Sequence, residues 1–123
     1  MPDLTDSYRI LSYDLYGHGG SSDPVTEPNL ALFSKQLKDL LDYCKIQKAV
    51  IVGFSLGGMI ARRFAQDAPQ NLQGMVILHS PHRRSKAAQA AILKRVDQAR
   101  TIGPQSTVEA ALERWFTDPF RKA

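Results

Sequence analysis

Residues 51–59 read IVGFSLGGM, and this stretch decides the fold. An apolar run rich in β-branched residues, KAVIVG at 48–53, precedes a serine that stands between two glycines, and a helical pattern follows it. Near-continuous apolar runs are typical of strands in a parallel sheet that is covered on both faces. The pattern therefore predicts a buried parallel strand, a sharp turn at Ser55 and a helix beyond it.

Ser55 is the residue of this stretch with a chemical role to examine. A serine hydroxyl attacks a carbonyl only when it is exposed and a base takes its proton. A tight strand-to-helix turn exposes it, and Gly53 and Gly57 are expected to leave room where side chains would meet backbone. The helix N-terminus points unpaired N–H groups at the site, so the Leu56 N–H is a predicted oxyanion donor. A glycine-rich turn with an incidental serine is the alternative, and the flanking strand and helix patterns disfavour it.

The segments on either side predict an α/β layer. RILSYD at 9–14 has the composition of a strand, residues 30–44 follow helical spacing, and GMVILHS at 74–80 is a further apolar run. Helical spacing also continues from the serine turn to Pro69. Because parallel strands need crossover connections, we expect strand, helix, strand, helix, strand in a partial parallel sheet of three strands with flanking helices.

Residues 82–123 differ in composition and patterning from the preceding part of the chain. A basic helix with a thin apolar stripe is predicted to end near position 103. Ser106 and Glu109 then have capping-box spacing, and the helix after them carries a heavily apolar face. With no apolar strand pattern after them, these helices are expected to form an accessory layer that lies over the sheet.

Charge is distributed unevenly between these portions. Residues 1–81 hold seven basic and eight acidic side chains, whereas residues 82–123 hold nine basic and four acidic ones, within a net charge of +4. The basic residues fall on the polar face of predicted helices without aromatic interleaving, so a solvated face is favoured. Nucleic-acid binding by this segment is the weaker alternative, and no nucleic-acid or membrane partner is predicted.

Composition excludes several function classes. Cys44 is the single cysteine, so an internal disulfide and a cysteine-based metal site are excluded. No metal-binding pattern such as HExxH occurs, and no metal or cofactor is predicted. The sequence shows neither an apolar run of membrane-spanning length nor a signal peptide, so the cytoplasm is the expected compartment.

Three stretches, in order along the chain, resemble the α/β-hydrolase superfamily: YDLYGHGGSS at 13–22, VGFSLGGMIARRFA at 52–65 and MVILHSP at 75–81. In that family the second stretch is the nucleophile elbow. The resemblance implies a partial hydrolase core at 1–81 and the start of a helical cap at 82–123. Within the cap, ALERWFTDPFR at 111–121 is similar to 3-oxoadipate enol-lactonase and related carboxylic-ester hydrolases.

The resemblance implies roles for individual residues. Ser55 is the expected nucleophile, and Leu56 supplies one oxyanion N–H. Motif positions with a structural role are Gly53, Gly57, Gly58, Asp14, Gly17, His18 and Gly19. Positions expected to line the pocket are Phe54, His79, His82 and Trp115, with a cap hinge as the alternative for His79 and His82. The implied substrate is a small-molecule ester or lactone, hydrolysed through an acyl-enzyme.

The remaining catalytic groups do not match the family pattern. The family order is serine, acid, histidine, whereas His79 and His82 precede Asp97 and Asp118, so neither histidine is expected to be the base. The loop that gives the second oxyanion donor is not recognised either. We therefore interpret the chain as a fragment that is nearly inactive by itself. A non-catalytic interaction module, an acyltransferase and a perhydrolase are the alternatives, and the oligomeric state stays open.

Overall fold

The computed structural model describes residues 2–123, and Met1, which belongs to the predicted core portion, lies outside that range. The chain divides after Pro81 into two compact units. In the first unit the elements are α1 (Pro2–Thr5), α2 (Leu30–Tyr43), β1 (Ala49–Phe54), α3 (Leu56–Asp67), a 3₁₀ turn (Pro69–Asn71) and β2 (Leu72–Leu78).

The two strands form a parallel pair, and α3 is the crossover between them. Val52 lies opposite Val76 and Phe54 lies opposite Leu78, so both strands end at the same edge. The prediction of an α/β layer with a parallel sheet is confirmed, and the turn between strand and helix falls at Ser55.

The predicted strand at 9–14 does not form. Residues 8–15 are irregular, and no other segment within 2–123 pairs with them. A strand needs a ladder partner for its backbone groups, and here a side chain of α2 takes that place. The Gln36 amide donates to the Asp14 carbonyl at 3.2 Å and accepts from the Tyr16 N–H at 3.2 Å. The sheet in the described residues therefore has two strands, not three.

The prediction of a strand covered on both faces is also wrong for the described residues. β1 alternates, with Ile51 partly buried and Gly53 buried, whereas Val52 and Phe54 are 64% and 66% exposed. The reason is that α2 and α3 pack on the same face of the sheet. The other face of β1 and β2 carries exposed apolar side chains that neither α2 nor α3 covers.

The core of this unit lies between the two helices and that inner face. Asn29 caps α2 by accepting a 3.0 Å hydrogen bond from the Leu32 N–H, and the helix buries one apolar stripe. The buried cluster consists of Leu37, Leu41, Phe64 and Ala68, with Tyr13, Ile46, Ala49, Ile51 and Leu72 packed against it. Because α3 contributes to this cluster, its start at Ser55 is fixed relative to the sheet.

The second unit is helical. It contains α4 (Lys86–Ile102), a 3₁₀ turn (Pro104–Thr107), α5 (Val108–Trp115) and α6 (Asp118–Arg121). Ser106 does not cap α5 as its spacing predicted, because it lies inside the 3₁₀ turn and its hydroxyl donates to the Gly103 carbonyl at 2.7 Å. The predicted apolar face of α5 is only half-buried at Ala111 and Leu112 and leaves Trp115 68% exposed.

Residues 2–123 contain neither a membrane-spanning helix nor a cluster of metal-binding side chains. No helix in this range has the length and the apolar character needed to cross a membrane. Within the same range, no group of three or more histidine, cysteine, aspartate or glutamate side chains is placed to hold a metal ion. Cys44 is a free, half-buried thiol.

Candidate active site

Ser55 is the single residue between the end of β1 and the start of α3. Its backbone has φ 51° and ψ −111°, a left-handed conformation that non-glycine residues seldom adopt. The side chain is exposed, and the Ser55 N–H donates a 3.0 Å hydrogen bond to the Leu78 carbonyl of the neighbouring strand. Strained residues of this kind cluster at functional sites, and the strand-to-helix turn holds this serine at the carboxyl edge of the sheet.

The glycines around the turn differ in which atoms a Cβ at each position would meet. A Cβ on Gly53 would overlap the Gly57 carbonyl and the Gly58 nitrogen, so the strand end passes directly against the helix backbone. A Cβ on Gly58 would overlap the Ser80 side chain. Gly57 differs from the expectation, because a Cβ there would find no atom of a neighbouring segment within 4 Å. The close approach is therefore made by Gly53 and Gly58.

The first turn of α3 faces the same edge. The first N–H groups of a helix lack intrahelical partners and lie at the positive end of the helix dipole. The Gly58 N–H is bonded to the Ser55 carbonyl at 3.1 Å. Leu56, the first residue of the helix, directly follows the serine. Its position on the chain suits a donor to negative charge developing beside Ser55.

The loop after position 14 is built by local hydrogen bonds. The Asp14 carboxylate accepts from the Gly20 N–H at 2.9 Å, and the Ser21 hydroxyl donates to the Asp14 carbonyl at 2.6 Å. Gly17 and Gly19 have positive φ values of 76° and 50°, and a Cβ on Gly19 would overlap the Asp14 carboxylate. This carboxylate therefore organises loop backbone.

His18 belongs to the same loop. Its Nδ1 lies 3.1 Å from the Tyr16 carbonyl, so the imidazole is engaged with local backbone. Within residues 2–123, no hydrogen bond joins the His18 ring to Ser55, and the geometry does not place this histidine as a base for the serine.

Phe54, the residue before Ser55, is in ring contact with His79. Their ring centroids are 6.1 Å apart with an interplanar angle of 18°, a stacked arrangement. His79 follows β2 as Ser55 follows β1, and its φ is 45°, so both strands leave the sheet through a left-handed residue. Both side chains are exposed. His82 and Trp115 belong to the second unit, and their place at a pocket stays a prediction.

Arg62 and Ser80 form a cluster that the sequence analysis did not single out. The Arg62 guanidinium donates to the Ser80 hydroxyl at 3.1 Å, to the Ser80 carbonyl at 2.9 Å and to the Pro81 carbonyl at 3.4 Å. Arg62 is one helical turn after Gly58, and both residues contact Ser80. No local pattern of the sequence signals this cluster, because Ser80 lies 18 residues beyond Arg62, on the far side of the crossover.

An open cavity of about 440 Å³ lies elsewhere in the first unit. Its lining residues are Asp42, Lys45, Ile46, Gln47, Lys48, Gln70 and Asn71. These residues come before β1 and β2, at the amino end of the parallel strands, whereas Ser55 follows the carboxyl end. A strand of six residues separates the two by roughly 20 Å, so this cavity is not part of the serine site.

Comparison with known proteins identifies the fold family. A family model described as the alpha/beta hydrolase fold matches residues 1–122. The chain belongs to the α/β-hydrolase fold family. Its structure is similar to that of a hydrolase from Pseudomonas aeruginosa, with a TM-score of 0.83 and 30% identity over 98% of this chain and 45% of the other.

Two further similarities are to proteins whose names refer to lactones. The chain is 29% identical to 3-oxoadipate enol-lactonase 2 of Acinetobacter baylyi over 115 residues, which cover 94% of this chain and 42% of that protein. It is 36% identical to Est816, described as an N-acyl homoserine lactone degrading enzyme, over 65% of this chain and 32% of the other, with a TM-score of 0.56. The chain spans less than half the length of each of these proteins.

Proposed function

We propose that this α/β-hydrolase chain carries the nucleophile of a serine hydrolase that acts on carboxylic esters or lactones. The observation that carries the proposal is the left-handed Ser55 between β1 and α3, exposed at the carboxyl edge of the sheet. A hydroxyl held in this way is accessible to a carbonyl and lies next to the positive end of a helix. The names of the enol-lactonase and of Est816 support a lactone or ester as the substrate class.

The proposed reaction passes through an acyl-enzyme. Ser55 Oγ forms a bond to the carbonyl carbon while its proton passes to a general base, and the carbonyl oxygen becomes an oxyanion facing the Leu56 N–H. The C–O bond to the leaving group then breaks, and the alkoxide takes up the proton. In the second half water gives a proton to the base and forms a bond to the acyl carbon; the ester bond to Ser55 Oγ then breaks, Oγ takes the proton back and the carboxylic acid is released.

The general base is not assigned to His18 or His79. His18 is bonded to local backbone, and within residues 2–123 no hydrogen bond joins His79 to the Ser55 hydroxyl. Acyl transfer without its base proceeds several orders of magnitude more slowly than with it. We therefore propose that the 123 residues alone acylate slowly and that full turnover needs a base and an acid supplied in addition.

An acyltransferase would use the same first step but would transfer the acyl group from Ser55 to an acceptor other than water.

Turnover of p-nitrophenyl acetate by the chain, by Ser55→Ala and by Ser12→Ala tests the proposal. Ser12 is an exposed serine outside the turn and is the matched control. The proposal expects a slow rate that Ser55→Ala abolishes and Ser12→Ala preserves, and equal rates in all three proteins would overturn it.

A further inference from the structure

The further inference concerns what holds the Phe54 and His79 rings in place near Ser55, and it rests on the proposed function. Phe54 precedes the serine directly, and His79 lies next to the Leu78 carbonyl that accepts the Ser55 N–H. The Phe54 and His79 rings are stacked and exposed. Two exposed rings with nearly parallel planes next to the serine turn offer an aromatic face on which a planar group of a substrate can stack.

The backbone conformation of His79 is unfavourable by itself and needs interactions that hold it. A φ of 45° is uncommon for a residue with a Cβ, and such conformations persist only where the surroundings hold them. The Ser55 N–H fixes the carbonyl on the N-terminal side of His79. The residue on the C-terminal side, Ser80, is fixed by α3.

Arg62 provides that second constraint. Its guanidinium makes hydrogen bonds of 3.1 and 2.9 Å to the hydroxyl and carbonyl of Ser80 and reaches the Pro81 carbonyl at 3.4 Å. Gly58, one turn earlier on α3, leaves room for the Ser80 side chain to contact the helix backbone. The planar guanidinium suits several acceptors at once, which an ammonium group does not.

We propose that Arg62 is a positioning residue: by holding Ser80 it keeps the His79 imidazole stacked on Phe54, and this stack makes the site selective for esters with a planar acyl group. Arg62 does not touch the reacting atoms in this account. It acts through the strand end that carries His79.

Nuclear magnetic resonance of the His79 ring tests the positioning without any activity. The Phe54 ring current shifts the resonance positions of the His79 imidazole protons in the native chain. The Phe54→Leu variant shows where these resonances lie when the stack is absent. We expect Arg62→Gln to move the His79 protons toward their Phe54→Leu positions. Arg63→Gln is the matched control, because Arg63 is the next residue of α3 but pairs with Asp67 at 2.9 Å. His79 signals that are unchanged in Arg62→Gln would overturn the positioning role.

Acylation by two p-nitrophenyl esters, benzoate and hexanoate, tests the selectivity, since the esters share a leaving group and differ in the planarity of the acyl group. We expect Arg62→Gln and Phe54→Leu to lower the benzoate to hexanoate rate ratio roughly tenfold, the size of effect that pocket contacts supply. Arg63→Gln should leave the ratio unchanged. Equal losses with both esters in Arg62→Gln would overturn the selectivity role and indicate a structural one.

The two arms separate failure of this inference from failure of the proposed function. If Ser55→Ala acylates as fast as the native chain, the proposed function fails together with the selectivity role, and the His79 signals still decide the positioning role. Where Arg62→Gln does not fold by circular dichroism, Arg62→Lys takes its place, because lysine keeps the charge but loses the paired hydrogen bonds.

Discussion

The Ser55 N–H donates a 3.0 Å hydrogen bond to the carbonyl of Leu78, so the turn between β1 and α3 is tied to the end of the neighbouring strand. This bond continues the parallel ladder one residue beyond the last pair, Phe54 and Leu78. The serine therefore sits on a two-strand edge and not on a free loop, which limits how far it can move.

The first prediction separates two glycines of the turn. Gly53→Ala should lower the free energy of unfolding by about 3 kcal/mol, the upper range for forcing an atom into a packed site, because its Cβ meets helix backbone. Gly57→Ala should raise it by up to about 1 kcal/mol, since alanine favours the helix and its Cβ meets no neighbouring segment. Urea denaturation measures both, and equal effects of the two changes would contradict the geometry.

The second prediction concerns strain at the serine. Replacing Ser55 by glycine should give a protein more stable than Ser55→Ala by about 1 kcal/mol, because glycine adopts positive φ without a Cβ clash. Ser12, whose φ is not positive, is the control, and there the glycine variant should be the less stable one. Thermal denaturation of the four variants measures this. A Ser55→Gly protein less stable than Ser55→Ala would argue against the left-handed turn.

The third prediction concerns the side chain that replaces a strand partner. Gln36→Met removes the hydrogen bonds to the Asp14 carbonyl and the Tyr16 N–H and should destabilise the chain by about 1–3 kcal/mol. Hydrogen exchange at the Tyr16 amide should become faster in this variant. Gln66→Met, an exposed change on α3, should leave that exchange rate unaltered. Unchanged protection of Tyr16 in Gln36→Met would show that another group holds the segment.

The fourth prediction is a pH dependence. Burial against the core raises the pKa of the Tyr13 phenol above its usual value of 10.0. The folded pKa then exceeds the unfolded one, so the stabilising contribution is complete below about pH 10 and is lost as pH rises through the folded pKa.

Denaturation midpoints between pH 8 and pH 11 check this sign. Tyr13→Phe should lose less stability over that range than the native chain, because phenylalanine has no proton to lose. Tyr43→Phe is the matched control, since Tyr43 is 86% exposed, and it should follow the native chain. A Tyr13→Phe curve parallel to the native one would contradict the assignment.

The sequence predicted the elbow well because its signals are local. An apolar run before Ser55, a glycine on either side and helical spacing after it each act within a few residues, and the structure has the strand, turn and helix there. The family follows from the same stretch, and the comparison with family models confirms it.

The errors concern partners that are distant along the chain. Residues 9–14 have strand composition, but a ladder needs a second strand, and composition does not report whether one is adjacent. The apolar run at 48–53 likewise does not show that both helices pack on one face. Arg62 was missed because its hydrogen bonds reach Ser80 across a crossover, which no local pattern reveals.

The most direct test of the central claim, that Ser55 is the nucleophile, is covalent capture. The chain is incubated with a fluorophosphonate that modifies activated serines, and tandem mass spectrometry of the digested protein locates the adduct. The account predicts a single adduct on Ser55, formed slowly, present in Ser12→Ala and lost in Ser55→Ala. An adduct on another serine, or labelling that persists unchanged in Ser55→Ala, would contradict it.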